Sequence, residues 1–219
     1  MAEVRRPLRI AALVSGRGSN LQAIIDAIAG GRLSAEIGVV ISNVASAAAL
    51  QRAESQGIPT QVVRNRDFPD REAFDAELTR CIDAHEADLV VLAGFMRLLT
   101  PGFVQRFSGR LVNIHPSLLP AFPGLRPHER ALEAGVRIHG ATVHFVNEET
   151  DGGPIIAQAA IPVLADDTPE TLAVRVLAQE HRLYPMALQW ISEGRLRLEN
   201  GRVLVNGAES PPLPMIWPG

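Results

Sequence analysis

A chain of 219 residues, 47% hydrophobic and 21% charged, has an ordinary globular composition and is long enough to bury a sizeable core. Its net charge of −3 and pI near 6.1 exclude a broad basic field that would attract nucleic acid or an anionic membrane. The apolar runs Ile10–Val14 and Leu89–Met96 are too short for a signal-peptide core or for the ~20 residues of a membrane span, so a cytoplasmic protein is expected.

The first two-thirds of the chain alternates short β-branched runs with amphipathic stretches. Strands are expected at Arg9–Ser15, Ile37–Ser42, Gln61–Val63, Leu89–Leu92 and Leu111–Ile114. Helices are expected between them, at Leu21–Ala29, Ser46–Gln56, Arg71–His85 and Pro101–Phe107. This βαβ rhythm predicts an α/β fold, an open and mostly parallel Rossmann-like sheet with helices on both faces and right-handed crossovers. The rhythm then changes. Ala141–Val146 and Ile155–Ile161 are strands joined by Asn147–Pro154 with no helix between, so they should extend the sheet with an antiparallel element. A long C-terminal helix opens at the cap-like Asp167-Thr168-Pro169-Glu170 and runs to about Glu193. A β-hairpin follows, since Asn200-Gly201 is a strong type I′ turn signal, and the Pro-rich Pro211–Gly219 is expected to lie across the surface or fray. No repeat or long linker divides residues 1–219, which read as a single domain.

All 21 cationic residues are Arg, and the absence of Lys excludes Schiff-base chemistry, pyridoxal-phosphate anchoring and a P-loop lysine. The single Cys excludes a disulfide framework and a multi-thiolate zinc site. Cys81 falls at helical spacing with Phe74, Leu78 and His85, which predicts a core or half-buried residue. Anions must therefore meet Arg, backbone N–H groups or neutral donors. Ser15-Gly16-Arg17-Gly18-Ser19-Asn20-Leu21 follows the first strand and opens the first helix, where free N–H groups form an anion site. Leu21 stands where a dinucleotide fingerprint wants a third small residue, and no acidic residue follows the second strand, so one phosphate fits better than a dinucleotide. A plain strand-to-helix turn capped by Ser or Asn is the alternative.

Asn113-Ile114-His115-Pro116 carries a stronger signal. Residues two apart on a strand point the same way, so Asn113 and His115 emerge together at the carboxyl end of a sheet strand while Ile114 turns to the core. Pro116 stiffens His115 in an extended backbone. An amide donor beside an imidazole suits a reaction that builds negative charge on a carbonyl oxygen. Asp151-Gly152-Gly153-Pro154 adds a carboxylate on a sharp bend, and near His115 it would favour the charged imidazole; an ordinary Asp-Gly turn is the alternative. His144 alternates with Val143 and Phe145 as a packed strand residue, and His85, His128, His139 and His181 lack metal-ligand spacing, so no metal is expected.

Taken together, SGRGSNLQAII, LAGFMRLL, NIHPSLLPAFPG, HGATVHFV, DGGPII and QEHRLYP resemble the phosphoribosylglycinamide formyltransferase family, in its order and spacing, from about Ile10 to Leu198. The resemblance implies the formyltransferase fold and formyl transfer from 10-formyltetrahydrofolate, as cosubstrate, to the amine of glycinamide ribonucleotide in purine synthesis. It implies that Asn113, His115 and Asp151 are catalytic, with His115 the general acid and Asp151 favouring its charged form. Gly18, Ser19, Asn20 and Glu180 match the nucleotide phosphate and ribose site. Arg71, Met96, Arg97, Leu98 and Leu99, with Asn113, match the formylfolate site. On that likeness residues 8–110 form a nucleotide-binding half, 111–195 a folate-binding and catalytic half, and 196–219 a hairpin and tail. Arg17 departs from the Asn common there and adds a charge to the phosphate loop. Partners are expected to be small molecules, with no nucleic acid and no membrane, in a monomer or homodimer. A formyltetrahydrofolate hydrolase is expected to carry an added N-terminal regulatory domain, whereas here the first strand starts at Arg9. A methionyl-tRNA formyltransferase is expected to carry an RNA-binding C-terminal domain and a basic surface. A non-catalytic nucleotide-binding module would need the glycine loop but neither the Asn-x-His pair nor DGGP.

Overall fold

From Ile10 onward, Leu8–Val14 (LRIAALV) is apolar on both sides, the signature of a strand covered on both faces, and it forms β1 in the interior of the sheet, between β4 and β2. The computed structural model describes residues 6–206 and 215–216. The further strands are β2 (Ala35–Ser42), β3 (Thr60–Val62), β4 (Leu89–Leu92), β5 (Leu111–His115), β6 (Ile138–Phe145), β7 (Ile155–Pro162), β8 (Leu196–Glu199), β9 (Arg202–Val205) and β10 (Met215–Ile216). The helices are α1 (Ser19–Ala29), α2 (Ala48–Glu54), α3 (Arg71–Ala84), α4 (Pro101–Arg106), α5 (Pro127–Glu133) and α6 (Pro169–Ser192). The main sheet has eight strands in the order β10-β7-β6-β5-β4-β1-β2-β3. The pairs among β1 to β5 are parallel, β6 is antiparallel to both neighbours, and β10 runs parallel to β7.

Alternation along β1 divides the core. Ile10 joins the cluster under α1 and α6, Ala12 and Val14 the one under α1 and α2, and Ala11 and Leu13 the one under α3 and α4. Helices therefore cover both faces, as the βαβ rhythm predicts. Phe74, Leu78, Cys81 and Ile82 line the buried side of α3, where burial pushes the Cys81 thiol up to about 11 and leaves it inert. Fully burying a side chain such as Ile24 or Phe107 contributes about 1.5–3 kcal/mol.

Boundaries differ from the sequence pattern by one to three residues. The first helix starts at Ser19, two residues before Leu21, because Gly18 in the left-handed region (φ 73°) turns the chain into it. Asn and Ser are not its cap: Gly18 stands at the N-cap and no side chain caps it. α5 was not legible among the prolines around it. Pro127 sits at its first turn, where a missing N–H costs nothing, and Arg126 at φ 53° precedes it. α6 opens with Thr168 accepting from the Thr171 N–H, Pro169 occupies its first turn, and the helix continues through Pro185. The hairpin β8–β9 turns at Asn200 and Gly201, both at positive φ as a type I′ turn requires. Of Pro211–Gly219 only β10 falls within the described residues, and the expectation for the rest lies outside them.

The topology locates a crevice. After β1 the chain steps outward through β2 and β3, then returns to place β4 on the other side of β1. At such a reversal the loops leaving β1 and β4 diverge at their carboxyl ends, and ligands bind there.

Candidate active site

Asn113 and His115 end β5 at that edge, and the antiparallel register brings β6 to meet them. Asn113 lies opposite His144 and His115 opposite Thr142. Residues directly opposite share a face, so the His144 ring faces the same site as the two β5 side chains. The Asn113 Nδ2 amide donates to His144 Nε2 at 3.2 Å, and His144 Nδ1 donates to the Phe145 carbonyl at 2.9 Å. That pattern fits the neutral ring, which burial also favours by pushing His144 below its ordinary value.

Asp151 arrives from the loop between β6 and β7. Its φ is 53°, a conformation that Asp tolerates better than most residues. At Gly153 a Cβ would overlap the Phe145 carbonyl, so only glycine lets the chain cross the end of β6 this closely. The crossing sets Asp151 Oδ2 at 3.3 Å from His115 Nδ1, and the same oxygen accepts the Gly124 N–H at 2.8 Å. His115 Nε2 meets the Phe122 carbonyl at 3.1 Å. Both ring nitrogens thus face oxygen acceptors, which an imidazolium with two N–H donors satisfies completely. Asp151 Oδ1 also lies 3.9 Å from His144 Nε2. The chain therefore brings Asn113, His115 and Asp151 together and adds His144, which the sequence marked only as a packed strand residue. It is packed, at 1% exposure, and it also orients the Asn113 amide.

Behind His115, Thr142 Oγ1 donates to the Ser117 carbonyl at 2.6 Å and accepts the Leu119 N–H at 3.0 Å. Gln158 Nε2 donates to both Thr142 Oγ1 and the Leu119 carbonyl. This buried network fixes the Pro116–Pro120 turn, and no local sequence signal announces it.

The glycine loop lies across the crevice. A Cβ on Gly18 would sit 2.6 Å from Ala49 Cβ and 2.7 Å from Ala49 Cα, so α2 packs against a bare backbone. The first-turn N–H groups of α1 have no carbonyl one turn earlier to bond and carry the positive end of the helix dipole. Ser19 is half-buried and Arg17 exposed. Asn20 turns inward, and its Nδ2 donates to Glu180 Oε2 at 2.6 Å. Burial raises the Glu180 pKa and the Asn20 bond opposes that rise. The loop and Glu180, 160 residues apart, thus form one wall.

The segment after β4 forms the other side. Met96, Arg97 and Leu98 are exposed and Leu99 half-buried. Arg71, at the start of α3, donates from Nη2 to the carbonyls of Leu98 (3.0 Å) and Leu99 (3.2 Å). It braces this segment. Among the described residues, no group of three or more His, Cys, Asp or Glu is arranged to hold a metal ion.

Comparison with known proteins follows the same lines. The formyl transferase family matches residues 8–188. The chain is 48% identical over 205 residues to phosphoribosylglycinamide formyltransferase from Escherichia coli (strain K12), covering 94% of this chain and 97% of that protein. The solved structure of glycinamide ribonucleotide transformylase 1 from Symbiobacterium toebii matches with a TM-score of 0.91 at 48% identity, covering 94% of this chain and 97% of that one. A formyltetrahydrofolate deformylase from Pseudomonas syringae pv. tomato str. DC3000 matches with a TM-score of 0.85 at 30% identity, covering 91% of this chain and 66% of that one.

Proposed function

The chain belongs to the formyl transferase family, and from that premise we propose that it transfers the formyl group of 10-formyltetrahydrofolate to the amine of N1-(5-phospho-D-ribosyl)glycinamide, a step of de novo purine (IMP) synthesis. The observation that carries the reading is the convergence of Asn113, His115 and Asp151 at the carboxyl edge of the sheet. The 48% identity to a phosphoribosylglycinamide formyltransferase, against 30% to a deformylase, favours an amine acceptor over water.

In the proposed mechanism the phosphate docks on the N–H groups of Gly18, Ser19 and Asn20, and Glu180 accepts hydrogen bonds from the ribose. Formylfolate lies along Met96, Arg97, Leu98 and Leu99, with Arg71 bracing that segment. The substrate nitrogen attacks the formyl carbon, a new C–N bond forms, and the carbonyl electrons move onto oxygen. One Asn113 N–H stays on His144, and the second N–H of the same amide donates to the oxyanion. His115, charged and held by Asp151 at Nδ1, turns its Nε2–H from the Phe122 carbonyl to the same oxygen. The bond to folate N10 then breaks as His115 gives N10 a proton, and the ring recovers one from the attacking amine. Holding two reactants in register supplies much of the rate, since oriented intramolecular reactions reach effective molarities of about 10⁵–10⁸ M.

Residues 8–110 supply most of the nucleotide wall and residues 111–195 the catalytic trio. The partners are small molecules, the oligomeric state is monomer or homodimer, and the compartment is the cytoplasm. No helix among the described residues is long and apolar enough to cross a membrane.

The test supplies 10-formyltetrahydrofolate with and without the nucleotide amine and follows deformylated folate by absorbance. Turnover that requires the amine supports the reading. Formate release at a comparable rate without amine would make the protein a hydrolase, and ligand binding without any turnover would make it a binding module.

A further inference from the structure

Ser15 is the first residue after β1 and so stands at the point where the strand order reverses. Three bonds meet on it. Its N–H donates to the Gly94 carbonyl at 3.1 Å, its hydroxyl donates to Asn43 Oδ1 at 2.6 Å, and the hydroxyl oxygen accepts the Met96 N–H at 2.8 Å. One half-buried side chain thus ties together the loops leaving β1, β2 and β4. Each bond fixes the direction of the next, from Met96 N–H through the hydroxyl to Asn43, and such chains polarise one another in a low-dielectric setting.

The surroundings leave Ser15 as the hinge between two otherwise separately anchored segments. Residues 16–20 are held from the α2 side, where Ala49 N–H donates to the Gly16 carbonyl (3.1 Å) and Arg52 Nε to the Arg17 carbonyl (2.8 Å). The far end of residues 94–99 is held by Arg71. Among the described residues, hydrogen bonds of the Ser15 backbone and hydroxyl join the first group to the second.

We infer that Ser15 is a positioning residue that couples the two substrate segments, so that nucleotide seated on residues 16–20 tightens folate binding at residues 94–99, and folate tightens nucleotide binding in return. The inference rests on the functional reading above. A ligand that orders one segment also fixes the shared hydroxyl, so the second ligand has less left to order. Linkage requires the two effects to be equal in size.

Calorimetric titration tests it. Glycinamide ribonucleotide is titrated into the wild-type chain, Ser15→Ala and Asn43→Ala, each with and without saturating tetrahydrofolate, which has no formyl group to transfer. The reciprocal titration is run on the same proteins. In the wild type each ligand should tighten the other by about fivefold or more, the lower end of ordinary coupling between sites. In both variants that factor should fall to near one while each ligand alone binds almost as in the wild type. If Ser15→Ala does not fold, the Asn43→Ala ratio decides, because that substitution lies in a loop and removes the acceptor alone. An unchanged ratio in the variants, including one where both affinities simply weaken together, overturns the inference, as does a wild-type ratio of one. Failure of either ligand to bind the wild type would overturn the functional reading as well.

Discussion

Asn20 in the first turn of α1 donates its side-chain amide to the Glu180 carboxylate in the middle of α6, at 2.6 Å, and both side chains are buried. The bond joins the anion loop to the C-terminal helix, and among the described residues Glu180 accepts it with no cationic hydrogen-bond partner.

Glu180→Gln should separate stability from binding. Burial raises the Glu180 pKa, so charging it costs the folded chain as pH rises past the ordinary 4.5. Gln removes that cost and can still accept from Asn20, so the melting temperature at neutral pH should hold or rise. The KM for the nucleotide should rise roughly 10- to 100-fold, the scale of a hydrogen bond to a charged group. The KM for folate should stay near wild type. An equal rise in both would assign Glu180 a structural role.

Gly18→Ala should damage the phosphate loop. The position has φ 73°, and a Cβ there would press on Ala49 Cβ and Cα within 2.7 Å. Left-handed backbone alone costs a non-glycine residue about 1–2 kcal/mol. Thermal unfolding should show at least that loss, and the nucleotide KM should rise more than the folate KM. A variant with wild-type stability would contradict the packing described for α2.

Asp151→Asn keeps an acceptor for the Gly124 N–H but removes the charge facing His115. Turnover should fall while both substrate dissociation constants stay near wild type, because His115 Nδ1 no longer faces the carboxylate that holds the ring in place. Turnover at the wild-type rate would mean that Asp151 does not act through His115.

His139 should make the fold acid-sensitive. Burial first, and then the nearby His128, push it down from 6.5 to about 4. Between those values the unfolded chain binds a proton that the folded chain refuses, so stability should fall as pH drops from 6.5 to about 4 and level off below for this group. Melting temperatures of the wild type and His139→Gln across that range check it: the variant should show the shallower slope, and parallel slopes would assign the acid sensitivity elsewhere.

Much of this was legible in the sequence, for reasons that can be named. Ile10–Val14 and Leu89–Leu92 are apolar on both sides because helices cover both faces, and period and length mark them as strands. Asn113 and His115 follow from strand alternation alone, and Thr168-Pro169 from capping. The contacts that complete the site come from chain segments far apart. Asp151 reaches His115 through a left-handed turn and a glycine crossing, and Asn20 reaches Glu180 across 160 residues. His144 shows its second role only once the β5–β6 register is known. Ser15 read as part of a glycine loop, since its partners Asn43, Gly94 and Met96 lie on two other loops.

The central claim is that His115, held by Asp151, is the acid–base group of formyl transfer. The most direct measurement is the single-turnover rate of His115→Ala with both substrates bound, alongside its circular dichroism spectrum and the two dissociation constants. A folded variant that binds both substrates nearly as the wild type does should transfer formyl about 10²–10⁴-fold more slowly, the usual contribution of a general acid–base group. Transfer at the wild-type rate in that folded, ligand-competent variant would contradict the account.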